Sequence, residues 1–421
     1  MSLGGAEAVG RVFTFLFTAL VARVAGIEVL GYLSLAISLV AYISIAGDSG
    51  LNQDATRRLV AGADAKHVVQ ESVRVQVGAA VVATLIIVPI TILVYGDPVW
   101  KYLLVLIPMS FAVAISTPYL LDSRRRIGTL AVSRLVLTLT VAAVGVILLF
   151  VGVSGIWLGL AYCAGYWAST FFVLRMSRSP IRHALKPMGM PRLRSRLAVI
   201  RTLGVTGILL HVFVSLPVLA AGLVSTSALA NIGLVTRVWF LVSAPAAMAG
   251  SVLIPLMVEE RGRSRTLPLC LLAFLVGLIG ALGLSVISSP LMRLLFGEEA
   301  VSAAIPLSIF VLALPFMAVA AVLSARLIAV HREFWIAAGY SISAVTFLGI
   351  ILMPFWIADA MLISTAWVAS YAVLMAILGF ATLRTRARSF ALSRNGKFSK
   401  GFEADEESAI GVPHEELGRG K

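Results

Sequence analysis

The chain is 421 residues long, 60% hydrophobic and 13% charged, with a mean hydropathy of +0.99 and a formal net charge of +14. A water-soluble globule would be about half apolar and about a quarter charged, so this composition excludes one. Apolar runs of about 20 residues recur along the chain, each long enough to cross a hydrocarbon core of about 30 Å. The basic balance is therefore read as membrane topology and not as a nucleic-acid footprint.

Twelve spans are expected, over 5–25, 29–50, 68–94, 99–121, 128–151, 155–175, 199–222, 228–256, 267–288, 302–325, 334–353 and 361–383. The first takes in most of "GRVFTFLFTALVARVAG" (10–26), with an arginine toward each end of that stretch. It is too long for a signal peptide and lacks a small-residue cleavage site before a soluble domain. Loops after even-numbered spans, with the basic tail, carry 27 of the 34 lysines and arginines. They include Arg57, Arg58, the run Arg124–Arg126, and the stretch Arg175–Arg196. Loops after odd-numbered spans carry only Lys101 and Arg293. Positively charged loops stay inside, so both termini are expected in the cytoplasm and the protein in the plasma (inner) membrane. Cys163 and Cys270 both fall in apolar segments and bear on no redox assignment.

The outer loops are short, the longest being "SSPLMRLLFGEEAVS" (288–302), which leaves no room for an external soluble domain. That disfavours membrane enzymes of polysaccharide assembly. The Pro-punctuated inner loop Arg175–Arg196 reads as a linker between halves. The expected organisation is an N-terminal six-helix bundle over 1–176, a basic cytoplasmic linker over 177–198, a C-terminal six-helix bundle over 199–385, and a disordered cytoplasmic tail over 386–421. The fold class is all-α and polytopic. The halves align with an offset near 200: Arg11 falls opposite His211, Tyr32 opposite Ile232, and Pro89 opposite Pro290. Six-span halves are a common transporter plan, with the substrate held between them. Because six is even, both halves enter from the same side, so the repeat axis is expected to run along the membrane normal.

Few charges fall within the spans. Glu7, Arg23, Asp48, Glu71 and Arg74 lie near span ends, where long side chains snorkel to the interface. Arg11, Arg134 and Arg237 lie deeper, with His211 as a possible further cation. An arginine at mid-bilayer costs roughly 2.5–3.5 kcal/mol on insertion scales, which favours a wet cavity or a bound anion around it. The deep set is cationic, and guanidinium forks match phosphate oxygens through paired hydrogen bonds. A carrier of cations would want buried carboxylates instead. Prolines in or beside spans, among them Pro89, Pro108, Pro118, Pro217, Pro245, Pro255, Pro306 and Pro315, suit helices that rock. No Walker loop, HExxH, CxxC pair or Ser–His–acid set is present, so no enzyme, cofactor, catalytic residue or metal site is expected.

Several stretches resemble one family. "GRVFTFLFTALVARVAGIEVLGYLSLAISL" followed by "DSGLNQDATRRL", then "GVSGIWLGLAY" and "ALANIGLVTRVWFLVSAPAAMAGSVLIP", are similar to Wzx-type polysaccharide flippases. These belong to the multidrug/oligosaccharidyl-lipid/polysaccharide exporter superfamily. The matching residues are Ala22-Arg23, Gly26, Gly31-Tyr32, Gly50-Leu51, Arg57-Arg58, Arg237 and Pro255, and the likeness runs over about residues 5–385. The sequence departs from the pattern at Ser215–Pro217, where many members have an Asp, at Asn231-Ile232 and after Pro354. The resemblance implies a flippase for a lipid-linked, undecaprenyl-diphosphate-type oligosaccharide, working by alternating access in the lipid bilayer. Polysaccharide polymerase or assembly proteins would be its partners. Arg11, Arg134, His211 and Arg237 are the expected substrate-binding residues. The alternatives are an ion-coupled drug or cation antiporter of the same superfamily and, further off, a membrane enzyme or a structural membrane protein.

Overall fold

A computed structural model describes residues 3–48, 50–153, 155–181, 208–246, 253, 257, 266–330, 332, 334–353 and 359–394. Most of the expected linker, Pro255, Pro354, the side chain of Glu7 and the tail beyond Arg394 lie outside the described residues. Among the described residues no strand occurs. In the first half the helices are α1 (Leu3–Ala25), α2 (Ile27–Asp48), α3 (Leu51–Val60), α4 (Ala65–Tyr95), α5 (Val99–Ile115), α6 (Tyr119–Asp122), α7 (Ile127–Phe150) and α8 (Gly159–Ser177). In the second they are α9 (Ile208–Val224), α10 (Thr226–Val242), α11 (Thr266–Phe296), α12 (Ala304–Phe310), α13 (Leu314–Ala329), α14 (Phe334–Leu352) and α15 (Ala360–Arg394). Nine helical stretches among the described residues are long and apolar enough to cross a membrane. With α1 and the shorter apolar α9 and α10, they make the twelve expected spans.

Boundaries follow local chemistry. Gly26 and Gly96 adopt positive φ where α1 and α4 end, a conformation that only glycine reaches without a Cβ penalty. Asp64 caps α4 by accepting from the Lys66 N–H at 3.2 Å, and Ser225 caps α10 by accepting from Ala228 at 3.0 Å. Three expectations are corrected. The second span gives way at Gly50 to a separate ten-residue helix, α3. The expected outer loop 288–302 is almost wholly helical, with α11 running to Phe296 and a 3-10 stretch over Glu298–Ala303. Pro290 is absorbed inside α11, which ends only at Gly297 (φ +97°). The last helix continues to Arg394, past the expected domain end at 385.

The two halves repeat in detail. Helices α4 and α11 are each 31 residues long and carry a proline at the same position, Pro89 and Pro290. Within the first half, α1 packs along α7, α7 along α8, and α5 against α2, α4 and α8. Within the second, α11 lies along α13, and α15 against α13 and α14. The second half is centred on Trp367 of α15, which is fully buried and stacks between Phe213 and Phe310 at 5.0 and 5.1 Å. Such aromatic pairs add roughly 0.5–1.5 kcal/mol each beyond burial of their area.

Among the described residues the halves meet along α2 and α10, with α1 touching α10 and α11 and α9 lying against α2 and α4. Gly31 and Gly233 make the α2–α10 approach possible. A Cβ on Gly31 would lie 3.0 Å from the Ala230 backbone, and one on Gly233 would lie 3.0 Å from the Gly31 Cα. Small residues that let helix backbones touch are the usual basis of helix association in lipid. This contact belongs to the face away from the basic loops. On the same face Arg23 of α1 crosses to the other half, where its Nε donates to the Leu295 carbonyl at 2.9 Å and its Nη2 to that of Leu294. These carbonyls end α11 and lack helical partners. Arg23 thus sits at the border, as the sequence suggests, but it also joins the two halves. The two cations of the odd-numbered loops are neutralised nearby, Lys101 by Asp97 at 2.6 Å and Arg293 by Glu298 at 3.0 Å.

Candidate functional site

A cavity of about 890 Å³ lies between the halves, toward the face that carries the basic loops. Helices α1, α3, α6, α7 and α10 wall it. The volume falls in the range of sites that enclose a small-molecule head group. Among the described residues, four arginines line it, Arg11, Arg57, Arg134 and Arg237, against one carboxylate, Asp122. Phe15, Leu137 and Leu241 supply apolar surface. Thr14 and Thr18 turn their hydroxyls back to the Gly10 and Thr14 carbonyls at 3.0 and 2.7 Å, so α1 presents few free donors of its own there.

Each deep arginine is positioned differently. Arg11 Nη1 donates at 3.0 Å to the carbonyl of Phe240, in the last turn of α10. A cation placed there also meets the negative end of the helix dipole. Arg237 reaches across from α10 to α2, with Nη2 3.1 Å and Nε 3.3 Å from the Ser34 hydroxyl oxygen. Two nitrogens on one oxygen use little of a guanidinium's five-donor capacity. Arg134 is exposed on α7, and its side chain makes no hydrogen bond to a described residue. At 1.5 Å rise per residue it stands about 10 Å into the membrane from the start of α7.

His211, the fourth expected residue, is not on the cavity wall. It lies between α9 and α2, its ring edge-on to Tyr42 with centroids 4.9 Å apart and its Nε2 3.2 Å from the Ser215 hydroxyl. The structure therefore brings Arg11, Arg134 and Arg237 together and leaves His211 in the packing between helices.

Helix α3 contributes residues that the hydropathy reading passed over as loop. Its Leu51 and Ala55 are buried, packing Ala55 with Val68, Val69, Val73 and Tyr119, while Asn52, Gln53, Thr56 and Arg57 face the cavity. The helix is pinned from behind. Arg58 pairs with the buried Glu71 of α4 at 2.8 Å, and Gln76 donates to Asn52 Oδ1 at 3.2 Å. Glu71 was expected to be a border charge and is instead part of this anchor. Glu71 is the buried member of this pair, so losing Arg58 would leave its charge short of a partner in the interior. Thr56 faces Asp122, its hydroxyl 3.5 Å from the carboxylate. Arg124, read from the sequence only as a topology signal, donates to the Ser177 carbonyl at the end of α8 at 3.0 Å. The signal for α3 was present as apolar residues at 51, 55 and 59, the spacing of one helical face.

No protein-family model matches the chain, and no curated protein matches it. Among solved structures it is similar to the lipid II flippase MurJ in an inward closed conformation, with a TM-score of 0.75 at 14% identity, over 94% of this chain and 92% of that one. It is also similar to a multidrug resistance MATE family transporter of the MOP superfamily in an inward-facing conformation. There the TM-score is 0.69 at 16% identity, over 94% of this chain and 97% of that one. An outward-facing conformation of a transporter so described gives 0.57 at 15% identity, over 93% and 94%. The protein is an all-α, multi-pass membrane protein with the two-bundle fold of these transporters.

Proposed function

We propose that this protein is a flippase that moves a lipid-linked oligosaccharide, on an undecaprenyl-diphosphate-type carrier, from the inner to the outer leaflet for cell-surface polysaccharide synthesis. The fold is shared by a flippase and by multidrug transporters, so the charge of the cavity carries the choice. Four guanidiniums against one carboxylate attract an anionic head and repel a cation. Arg11, Arg134 and Arg237 hold the diphosphate, each offering paired donors to phosphate oxygens. His211 supports α9 against α2 and acts on the head only indirectly. The isoprenoid tail stays in lipid while the head crosses.

In this reading the basic face is cytoplasmic, both termini lie there, and the membrane is the plasma (inner) membrane. The bundles 1–176 and 199–385 rock about the α2–α10 contact, joined by the linker 177–198. Polymerase or assembly proteins would receive the product outside. The protein performs no covalent chemistry on its substrate.

The test is depletion of the protein followed by analysis of lipid-linked intermediates. Accumulation of one lipid-diphosphate-linked oligosaccharide on the cytoplasmic side is the expected result. Unchanged lipid pools, together with loss of ion-dependent dye efflux, would overturn the reading in favour of a drug antiporter.

A further inference from the structure

The cavity has two chemically distinct ends. At the deeper one the charged groups among the described residues are all cationic, Arg11, Arg134 and Arg237 on α1, α7 and α10. The end at the basic face is made by α3 and α6 and offers Asn52, Gln53, Thr56 and Asp122, with Arg57 beside them. Arginine presents donors only, whereas amide, hydroxyl and carboxylate oxygens accept. Phosphate oxygens need donors. Sugar hydroxyls both donate and accept, so they need acceptors opposite them. Asp122 is the sole carboxylate on the wall among the described residues. It repels a phosphate and favours the deeper end for it, while accepting well from a hydroxyl-rich group.

The α3 surface is also built to be rigid. Its apolar face is buried, Arg58 is tied to Glu71, and Asn52 receives a hydrogen bond from Gln76. A loop that served only to carry positive charge would need none of this. Rigid placement of polar groups is what selective recognition requires, because less side-chain freedom is lost on binding.

We propose that the polar face of α3, together with Asp122 of α6, is a saccharide subsite that reads the first sugars of the head group, separate from the arginines that hold the diphosphate. The inference rests on the function proposed above. Residues Gln53 and Asp122 are its principal hydrogen-bonding groups, and both are exposed to the cavity. In this arrangement the glycan stays at the aqueous mouth while the diphosphate sits deeper, and substrates with the same carrier but different sugars are told apart at α3.

The test measures binding of two probes to the full-length protein in nanodiscs. One is bare undecaprenyl diphosphate. The other is the lipid-linked oligosaccharide purified from cells depleted of the protein. The parent should bind the glycosylated probe more tightly than the bare one. The double variant Gln53→Ala/Asp122→Ala should lose that advantage, by about tenfold for two hydrogen-bonding groups removed, with bare-carrier affinity kept. Arg11→Gln/Arg237→Gln should weaken both probes alike. Equal binding of the two probes by the parent, or equal weakening of both by the α3/α6 variant, would overturn the subsite while leaving the arginine site standing. Failure of the parent to bind either probe would overturn the proposed function itself. Retained monodispersity and melting temperature confirm that the variants are folded.

Discussion

Arg237 of the second half is held by Ser34 of the first, with Nη2 3.1 Å and Nε 3.3 Å from the serine oxygen. Ser34 is itself buried and lies one turn from Gly31, where α2 and α10 touch. The guanidinium that would meet a substrate is thus oriented at the seam about which the halves would have to move. In the proposed function, binding and conformation would share one contact.

Arg237 is expected to act through its fork as well as its charge. Arg237→Gln should reduce lipid translocation in proteoliposomes by about tenfold or more, as for a lost charged hydrogen-bonding group. Arg237→Lys should recover only part, since an ammonium is a point charge without paired planar donors. Full activity in Arg237→Lys would show that charge is sufficient.

Arg23 is expected to latch the face away from the basic loops. Removing it frees the carbonyls of Leu294 and Leu295 at the end of α11. Arg23→Ala should then populate the state open to that face. In a background with Cys163→Ser and Cys270→Ser, a membrane-impermeant thiol reagent added from outside should label Thr14→Cys faster when Arg23 is absent. Unchanged labelling would remove the latch from the account.

Gly31→Leu should wedge α2 from α10, because the atoms nearest a new side chain are Ala230 backbone atoms that cannot rotate away. Overpacking of this kind costs about 1–3 kcal/mol. A lower melting temperature in detergent, together with faster outside labelling of Thr14→Cys, is the expected pair of results. Gly233→Leu should do the same from the other helix.

Glu71→Gln should destabilise the first half, because Arg58 loses its partner at 2.8 Å and, among the described residues, keeps only Asp54 at 4.0 Å. Because Arg58 is only half-buried, the loss should fall below the roughly 3–5 kcal/mol of a fully buried pair, and is measurable as a loss of folded yield and melting temperature. The double change Glu71→Gln/Arg58→Met should recover much of it. If it recovers nothing, the pair is not what anchors α3.

Depth was legible in the sequence, and partnership was not. Hydropathy located Arg11, Arg134 and Arg237 away from span ends, and depth is what brings their helices' arginines to one cavity. His211 shares the depth of Arg11 in the repeat, but residue spacing does not report which helix a side chain meets, and Tyr42 occupies the space beside it. Arg23 looked like a border residue because its acceptors lie some 270 positions further along the chain. Helix α3 was hidden by its own charges: in a membrane protein, basic loop residues are already explained by topology, and that masked the helical spacing of Leu51, Ala55 and Leu59. The outer loop 288–302 was misjudged because proline is a helix breaker in water but is tolerated where neighbours satisfy the freed backbone.

The central claim is that the cavity takes an anionic head, and one binding measurement tests it most directly. Undecaprenyl diphosphate and the lipophilic cation tetraphenylphosphonium are titrated separately into the protein in nanodiscs, alongside the Arg11→Gln/Arg237→Gln variant. The account predicts that the diphosphate binds the parent, is weakened by about tenfold or more in the variant, and is not displaced by the cation. Binding of the cation without the diphosphate, or diphosphate binding that the variant leaves unchanged, would contradict it.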